Sequence, residues 1–592
     1  MQLASDPQTI HPIIEKVLSQ RLSQGIHPQE YLSWDLTNLP AFDGFLDMEK
    51  ATARIIKALD EKESICIFGD YDVDGTTSCA VFYHFFKLLG VVVDLIQPGR
   101  FQEGYGLHPS SVIEAKKKGH QLLITVDCGI TSVLACEKAL ELGLDIIVTD
   151  HHADDPKNEF PKAYCVINPN RREMSQLQDK ENVFKNFAGV AVAFAVCTQV
   201  RKALIARGEK IPSIYSLLQF VGIGTICDCV PLTPINLKLA RHGLRQMKSS
   251  EYAGIRAFFH KDLENLQVQE MVTGEQVGFN LGPMINSKGR LEHPQMALQL
   301  LTTDESAMAY HYLLQLENTN MQRKKIQAQV FHEAKEQMQS KSPHLFVYAY
   351  KESWHEGVIG IVASKLVDLY KMPAIVLTKS QDPNVVKASA RSALDISLYD
   401  LLSQCKEYFI KFGGHKAAAG FSIPVENLLP LEKKIEEVLS SNYSHHYVTK
   451  TTSILGSYDL ELYFNQVELT LAQWLLALGP FGTSHPNPIF CLKGVTLSSF
   501  TILKSEHVKW SFTHPSFPLL QHNGISFFYF QKLHYIHPEE LMNKQSLSSG
   551  VDVTFHININ YFKGRKFLQL QVLTINLHQN SIGSIQHENN YH

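Results

Sequence analysis

Three short apolar runs in the first third of the chain each end on an acid followed by turn residues. That repeated grammar restricts the fold more than any other feature. Residues 64–68 lead into Gly69-Asp70-Tyr71-Asp72-Val73-Asp74-Gly75, residues 121–126 into Asp127-Cys128-Gly129, and residues 144–149 into Asp150-His151-His152. Apolar runs this short, closed by turn residues, read as buried strands. The segments between them, 77–89 and 130–142, are long enough to cross over a sheet as helices. Strands alternating with helices predict a parallel α/β sheet, and such sheets bind ligands beyond the carboxyl ends of their strands. Asp72, Asp74, Asp127 and His151 would then share one rim.

Asp70, Asp72 and Asp74 stand at alternate positions, so a strand that stayed extended would turn all three carboxylates to one side. Like charges that close are tolerated mainly around a cation. Hard oxygen ligands point to magnesium or manganese, and an imidazole among them favours manganese modestly. A lone Asp-x-Asp is more often a solvated turn, and a lone histidine at a strand end more often a cap. Three such ends in one short segment favour a metal site.

The chain has 592 residues, 44% hydrophobic and 19% charged, which suits several globular domains with sizeable cores. Its first residues lack a basic region followed by an apolar core, so no signal peptide is expected. The longest apolar stretch, 187–197, is too short to span a bilayer and reads as a buried helix. Ten cysteines without a Cys-x-x-Cys pair point to reduced thiols and a cytoplasmic setting. Cys227 and Cys229, on either side of Asp228, read as small core residues. A net charge of −4 gives no global basic footprint, so composition is neutral about nucleic acid.

With these motifs in view, the chain resembles the DHH phosphoesterase superfamily and, within it, the RecJ family of single-strand-specific exonucleases. The resemblance is carried by Asp150-His151-His152, by Asp72-Val73-Asp74-Gly75, by the segment 224–232 around Asp228, and by Gly413-Gly414-His415 followed by Ala418-Ala419-Gly420. Segments 100–107, 285–291, 354–361 and 387–392 also match, in order, from about residue 36 to about residue 572.

The resemblance implies a parallel-sheet DHH domain over 48–236 after a lead-in at 1–47, and a helical connector at 237–339 containing a long helix from 306 to 335. A second α/β domain of the DHHA1 type follows at 340–441. An OB-like β-barrel occupies 446–577, and the tail at 578–592 is polar and expected to be disordered. Short alternating runs at 507–512, 524–530 and 551–557 agree with a barrel. His507, Lys509 and Trp510 are candidates for base contacts there, although strand aromatics more often fill cores.

The implied chemistry is hydrolysis of phosphodiester bonds by two metal ions, Mn2+ or Mg2+, that clamp the attacking and leaving oxygens. Asp127 would bridge the ions. Asp72 would complete one site, and Asp74, His151 and Asp228 the other. His152 would contact the substrate phosphate, while Asp70 is either a ligand or an orienting group. Gly413, Gly414 and His415 would approach the scissile phosphate. Arg100, Arg290, Ser389 and Arg391 would hold the terminal 5′-phosphate or the adjacent backbone.

The substrate implied is single-stranded DNA degraded 5′→3′ to 5′-mononucleotides in repair and recombination. A single-strand-binding protein and a helicase are possible partners, a membrane is not, and a monomer is the default. Two positions depart from the family pattern. Phe68 stands where related small-substrate branches carry a histidine ligand, and Ser484-His485 stands where RecJ proteins have Gly-Asn. Because the latter loop lies near the expected barrel strands, its departure bears on nucleic-acid grip. A small-substrate phosphodiesterase and a non-catalytic binding protein are the alternatives. The C-terminal barrel argues against the first and the intact acid set against the second.

Overall fold

The computed structural model describes residues 10–22, 27–99, 106–154, 159–174, 182–291, 293–339, 345–443, 457–531, 535–545 and 550–578. Arg100 and nearly all of the expected tail lie outside these residues. The chain divides into two compact units, one made of Met1–Asn320, Glu468–Pro488 and Asn558–Leu568, the other of Met321–Val467, Ile489–Ile557 and Gln569–His592.

In the first unit, strands β1 (Ile65–Gly69), β2 (Asp94–Ile96), β3 (Leu122–Val126), β4 (Asp145–Thr149) and β5 (Cys165–Ile167) form one sheet in the order β2-β1-β3-β4-β5. Every pairing is parallel, with Ile65 opposite Leu122 and Val126 opposite Thr149. β1 and β3 are buried along their whole length, as strands covered on both faces must be. One face packs Ile65, Ile67, Ile124 and Ile147 against the helices Val73–Leu88, Gly189–Ala206 and Leu218–Cys227. The other packs Phe68, Leu123, Ile146 and Val148 against Pro109–Lys117 and Val133–Leu142. Phe68 is therefore core, and burying a side chain of that size contributes about 1.5–3 kcal/mol.

Gly189–Ala206 is, among the described residues, the one helix long and apolar enough to cross a membrane. Its apolar character on all sides has a simpler origin, since residues from every side of it belong to the core. The helices between residues 234 and 302 join that same core, so the expected connector is in large part flesh of the first unit. The long helix runs from Ser306 to Gln339, leaving the first unit at Asn320 and entering the second at Met321.

The loop at 479–488, expected to bear on the barrel, belongs to the first unit. Arg241, with no exposed surface, donates to the carbonyls of Tyr31 (3.0 Å), Leu478 (2.6 Å) and Gly479 (2.9 Å). His485 is buried, accepts from the Tyr31 hydroxyl at Nδ1 (2.9 Å) and donates from Nε2 to Leu478 O (3.1 Å). Ser484 has φ +61°, the left-handed conformation that suits the glycine of the family pattern.

The second unit holds β6 (Val347–Tyr350), β7 (Ala374–Lys379), β8 (Val385–Arg391), β9 (Lys411–Gly414) and β10 (Ala418–Pro424) in the order β6-β7-β8-β10-β9. Only β6–β7 is parallel. The helices Leu398–Ser403 and Leu428–Asn442 cover one face, and Glu356–Tyr370 packs on the other over β6 and β7. A six-stranded sheet follows, built from β11 (Leu460–Glu461), β12 (Phe490–Leu503), β13 (His507–Thr513), β14 (His522–Ser526), β15 (Val551–Phe562) and β16 (Arg565–Leu577). Its order is β11-β12-β13-β14-β16-β15, and β15 pairs back onto β12 to close a barrel. Trp510 is interior, with Nε1 donating to Ser526 Oγ at 2.9 Å, so it is no stacking candidate.

Candidate metal centre

The first acidic motif does not stay extended. Asp72 caps the helix Val73–Leu88, its carboxylate accepting from Gly75 N at 3.1 Å, so Asp74 falls in the first helical turn. A helix start leaves backbone N–H groups without partners, and Asp72 at the cap answers that need better than a continued strand would. Asp74 turns instead toward the N-terminus of Gly189–Ala206, accepting from Gly189 N (2.6 Å) and Val190 N (2.9 Å). That helix end favours negative charge.

Asp127 follows β3 with φ +58°, and its N–H donates to Thr149 O at 3.0 Å. The left-handed turn, rare for a residue with a side chain, carries its carboxylate back over the sheet rim. Gly189 permits this approach, because a Cβ there would lie 2.7 Å from Asp127 Cβ and 2.8 Å from Oδ1. Gly224 does the same for Asp74, where a Cβ would come within 2.8 Å of Oδ1. Asp228 caps the C-terminus of Leu218–Cys227, the helix that carries Gly224.

His151 completes the cluster. Its Nε2 is buried, makes no hydrogen bond, and faces Asp127 Oδ1 (3.2 Å), Asp228 Oδ2 (3.6 Å) and Asp74 Oδ2 (3.7 Å). Burial, together with the neighbouring His152, presses its pKa down to about 4, so the ring is neutral and Nε2 offers a lone pair. Among the described residues, ligand atoms fall within 4.8 Å of one another in three groups. These are Asp70, Asp72 and Asp127; Asp74, His151 and Asp228; and Asp127, His151 and His152.

The carboxylates resist ionisation together. Burial, then repulsion from Asp72, pushes Asp74 up to about 7. Burial and Asp74 push Asp228 up to about 8, and burial with four neighbouring acids raises Asp127 far above the usual range. Crowded oxygens that shed charge, beside a neutral imidazole nitrogen, form a donor set that fits divalent cations.

Asp150, the first letter of the Asp-His-His motif, serves the site without joining the three groups. Fully buried, it accepts from Ile130 N (2.9 Å), His151 N (2.7 Å), His152 N (3.0 Å) and His152 Nδ1 (2.8 Å). Burial alone would raise it, but His152 and these bonds hold it near 2. In return, although burial opposes the charged ring, Asp150 lifts His152 to about 9. Gln97 was not foreshadowed in the sequence. Its Nε2 donates to Asp70 O (2.8 Å) and Thr76 Oγ1 (2.9 Å), tying the edge strand to the acidic loop.

Arg290 lies on the helix Gly282–Leu291, next to Gly289, where a Cβ would come within 3.4 Å of the carbonyl oxygen of Tyr71, the residue between Asp70 and Asp72. Ser389, Arg391, Gly413, Gly414 and His415 gather in the second unit. Gly420 pairs with Ser389 on one side and Gly413 on the other, so Ser389, Gly413 and Gly420 share a sheet face. Arg391 Nη1 donates to Ser389 Oγ at 3.1 Å, and both crowd Gly360 of the covering helix. His415 is exposed, its N–H bonded to Ala418 O at 2.8 Å.

A parallel sheet with acids and imidazoles converging at the carboxyl ends of its strands defines a metal-dependent phosphoester hydrolase. Residues 64–225 match the DHH family, N-terminal domain; residues 344–441 match the DHHA1 domain, and 458–574 the RecJ OB domain. The chain is 30% identical to the single-stranded-DNA-specific exonuclease RecJ of Haemophilus influenzae, over 95% of this chain and 96% of that one. It therefore belongs to the RecJ family of single-stranded-DNA-specific exonucleases. It is 31% identical to the Bacillus subtilis RecJ over 89% of its length, but spans only 63% of that longer relative. A crystal structure of RecJ in complex with Mn2+ from Thermus thermophilus shares the fold, with a TM-score of 0.74 at 23% identity, over 99% of this chain and 78% of that one.

Proposed function

We propose that the chain is a 5′→3′ exonuclease on single-stranded DNA that releases 5′-mononucleotides through two divalent cations, Mn2+ or Mg2+. The convergence of Asp70, Asp72 and Asp127 in one ligand group and of Asp74, His151 and Asp228 in another, linked by the group Asp127, His151 and His152, carries this reading. Asp127 belongs to the first group and its Oδ1 lies 3.2 Å from His151 Nε2 of the second, and it is assigned as the bridging ligand. Asp70 and Asp72 are assigned to one site, and Asp74, His151 and Asp228 to the other, so that of the two roles open to Asp70 the ligand is chosen. Bound there, the pair of cations supplies activation of water and neutralises charge built up during in-line displacement.

The remaining roles belong to side chains. Asp150 fixes the His152 ring through Nδ1, leaving Nε2–H to donate to the scissile phosphate. Gly189 N and Val190 N hold Asp74 in register. In the second unit, Arg391 and Ser389 offer guanidinium and hydroxyl donors to phosphate, with Gly413 and Gly414 allowing close backbone approach and His415 contributing a ring nitrogen. Arg290, and Arg100 from outside the described residues, are assigned to the strand's 5′ end. The domain limits given above, a cytoplasmic monomer, and work beside a single-strand-binding protein and a helicase in repair and recombination belong to the same proposal.

The test is product analysis with Mn2+ on single-stranded DNA bearing a 5′-phosphate, beside its duplex and an RNA of the same sequence. Mononucleotides released from the 5′ end of the single strand alone are the expected result. Turnover restricted to dinucleotides or short RNA would overturn it.

A further inference from the structure

At the free edge of the parallel sheet lies a cleft of about 280 Å³ whose lining includes none of the candidate metal ligands. Within the sheet β2 pairs with β1 alone, and the cleft runs past its outer edge to the helices Pro109–Lys117 and Gln295–Thr302. An edge strand presents backbone N–H and C=O groups that its own sheet leaves unpaired, and a bound molecule can meet them. Pockets for drug-sized ligands hold ~300–1,000 Å³, so an occupant of this cleft is small.

Its lining combines aliphatic walls with amides. Leu95, Ile96 and the buried Leu298 supply the walls, and Gln97 and Gln299 the amides. Gln97 is only 7% exposed. Its Nε2 is committed to Asp70 O and Thr76 Oγ1, while its buried Oε1 accepts no hydrogen bond from the described residues. A buried acceptor left unmatched is costly until something donates to it. Toward solvent, the exposed Lys118 and Glu114 pair with each other at 2.8 Å, so the lining there carries no excess charge.

Aliphatic walls with amides between them suit a flat heterocycle. An unmatched amide oxygen calls for an N–H donor, the part that the amino group of adenine plays toward glutamine in base recognition. A phosphate finds no unpaired cation beside Glu114, whereas a paired lysine and glutamate can still share hydrogen bonds with sugar hydroxyls. We infer that this cleft binds a nucleoside with an amino group on its base, adenosine being the representative, and that Gln97 couples it to the acidic loop. Held through Oε1, the Gln97 amide keeps its Nε2 on Asp70 O and steadies the loop that carries Asp70 and Asp72. Binding of the nucleoside stands apart from the exonuclease reading; its coupling to the cations rests on Asp70 as a ligand.

The experiment is calorimetric titration of the full chain in EDTA with adenosine, inosine and adenosine 5′-monophosphate. Adenosine should bind with a Kd on the order of 0.1 mM. Inosine, with a carbonyl oxygen in place of the amino group, should bind about tenfold or more weakly. The monophosphate should bind no more tightly than adenosine. Gln299→Phe, which fills the cleft, should weaken adenosine about tenfold or more at an unchanged Tm. No saturable binding of adenosine to the wild type, or equal affinity for inosine, would overturn the site without any variant having to fold. Wild-type affinity in Gln299→Phe would overturn its location. Coupling between two ligands is reciprocal, so saturating adenosine should tighten Mn2+ binding about threefold or more, read from free Mn2+ by electron paramagnetic resonance. Unchanged Mn2+ affinity beside intact adenosine binding would overturn the role of Gln97. Failure of the product analysis above, with these affinities as expected, would sink the exonuclease reading alone.

Discussion

Asp127 is closely confined. Its left-handed backbone and the missing Cβ at Gly189 together set where its carboxylate can be. Asp127→Ala should abolish hydrolysis while leaving single-strand affinity within a few-fold, as read by mononucleotide release beside anisotropy. Gly189→Ala is the subtler test. Its methyl must push Asp127 aside, and a displacement of even 1 Å in such a site can lower turnover about 10²-fold. Loss of activity with an unchanged Tm is expected, and wild-type turnover would show that Asp127 is not confined as described. Most of the acids and both histidines were legible because they follow apolar strands, whereas Asp228, at a helix C-terminus, was legible only through the family motif at 224–232. Gly189 and Gln97 were not, because their importance arises from side chains distant in sequence that fold up against them.

Secondary elements show the same division. The parallel sheet and its crossover helices followed from the alternation of apolar runs, yet helix Val73–Leu88 begins within the acidic motif, ahead of the start expected at residue 77. Periodicity could not detect this, since Asp at alternate positions suits a strand tip and an N-cap equally well. The loop at 479–488 was misjudged for a related reason, because proximity in sequence to the barrel says nothing about packing. Its His485 leads to a pH prediction. Burial presses the ring down to about 4, against 6.5 when free. The folded state then binds fewer protons than the unfolded chain between those values, so stability falls as pH drops through that window. His242 and His84, lowered from the same value mainly by burial, act in the same direction. An amide can accept from Tyr31 and donate to Leu478 without titrating. His485→Asn should therefore flatten the decline in Tm between pH 6.5 and 4.5, and a profile parallel to wild type would refute the role.

Across the whole molecule, the metal centre ties stability to pH with the opposite sign. Asp74 and Asp228 are raised from 3.8 to about 7 and about 8 in the metal-free protein. Between pH 4 and 8 the folded state therefore holds protons that the unfolded chain has released, and metal-free stability falls as pH rises. Divalent cations displace those protons. The rise in Tm on saturation with Mn2+ should be larger at pH 8 than at pH 6, by thermal melts against EDTA, and equal shifts would count against these residues as ligands. The order of domains along the chain was readable from motif order. The return of Glu468–Pro488 and Asn558–Leu568 to the first unit was not, since no local pattern announces a long-range return.

That return also governs how the protein can be made. Arg241 takes two of its three carbonyl partners, Leu478 and Gly479, from more than two hundred residues downstream. A fragment ending at residue 320 would contain every candidate metal ligand, yet strand a guanidinium in the interior with one acceptor in place of three. Removing partners from a buried charge typically destabilises by about 3–5 kcal/mol, a large share of a domain's stability. On the ribosome the metal-binding half would accordingly wait, incompletely locked, until most of the polypeptide had been translated.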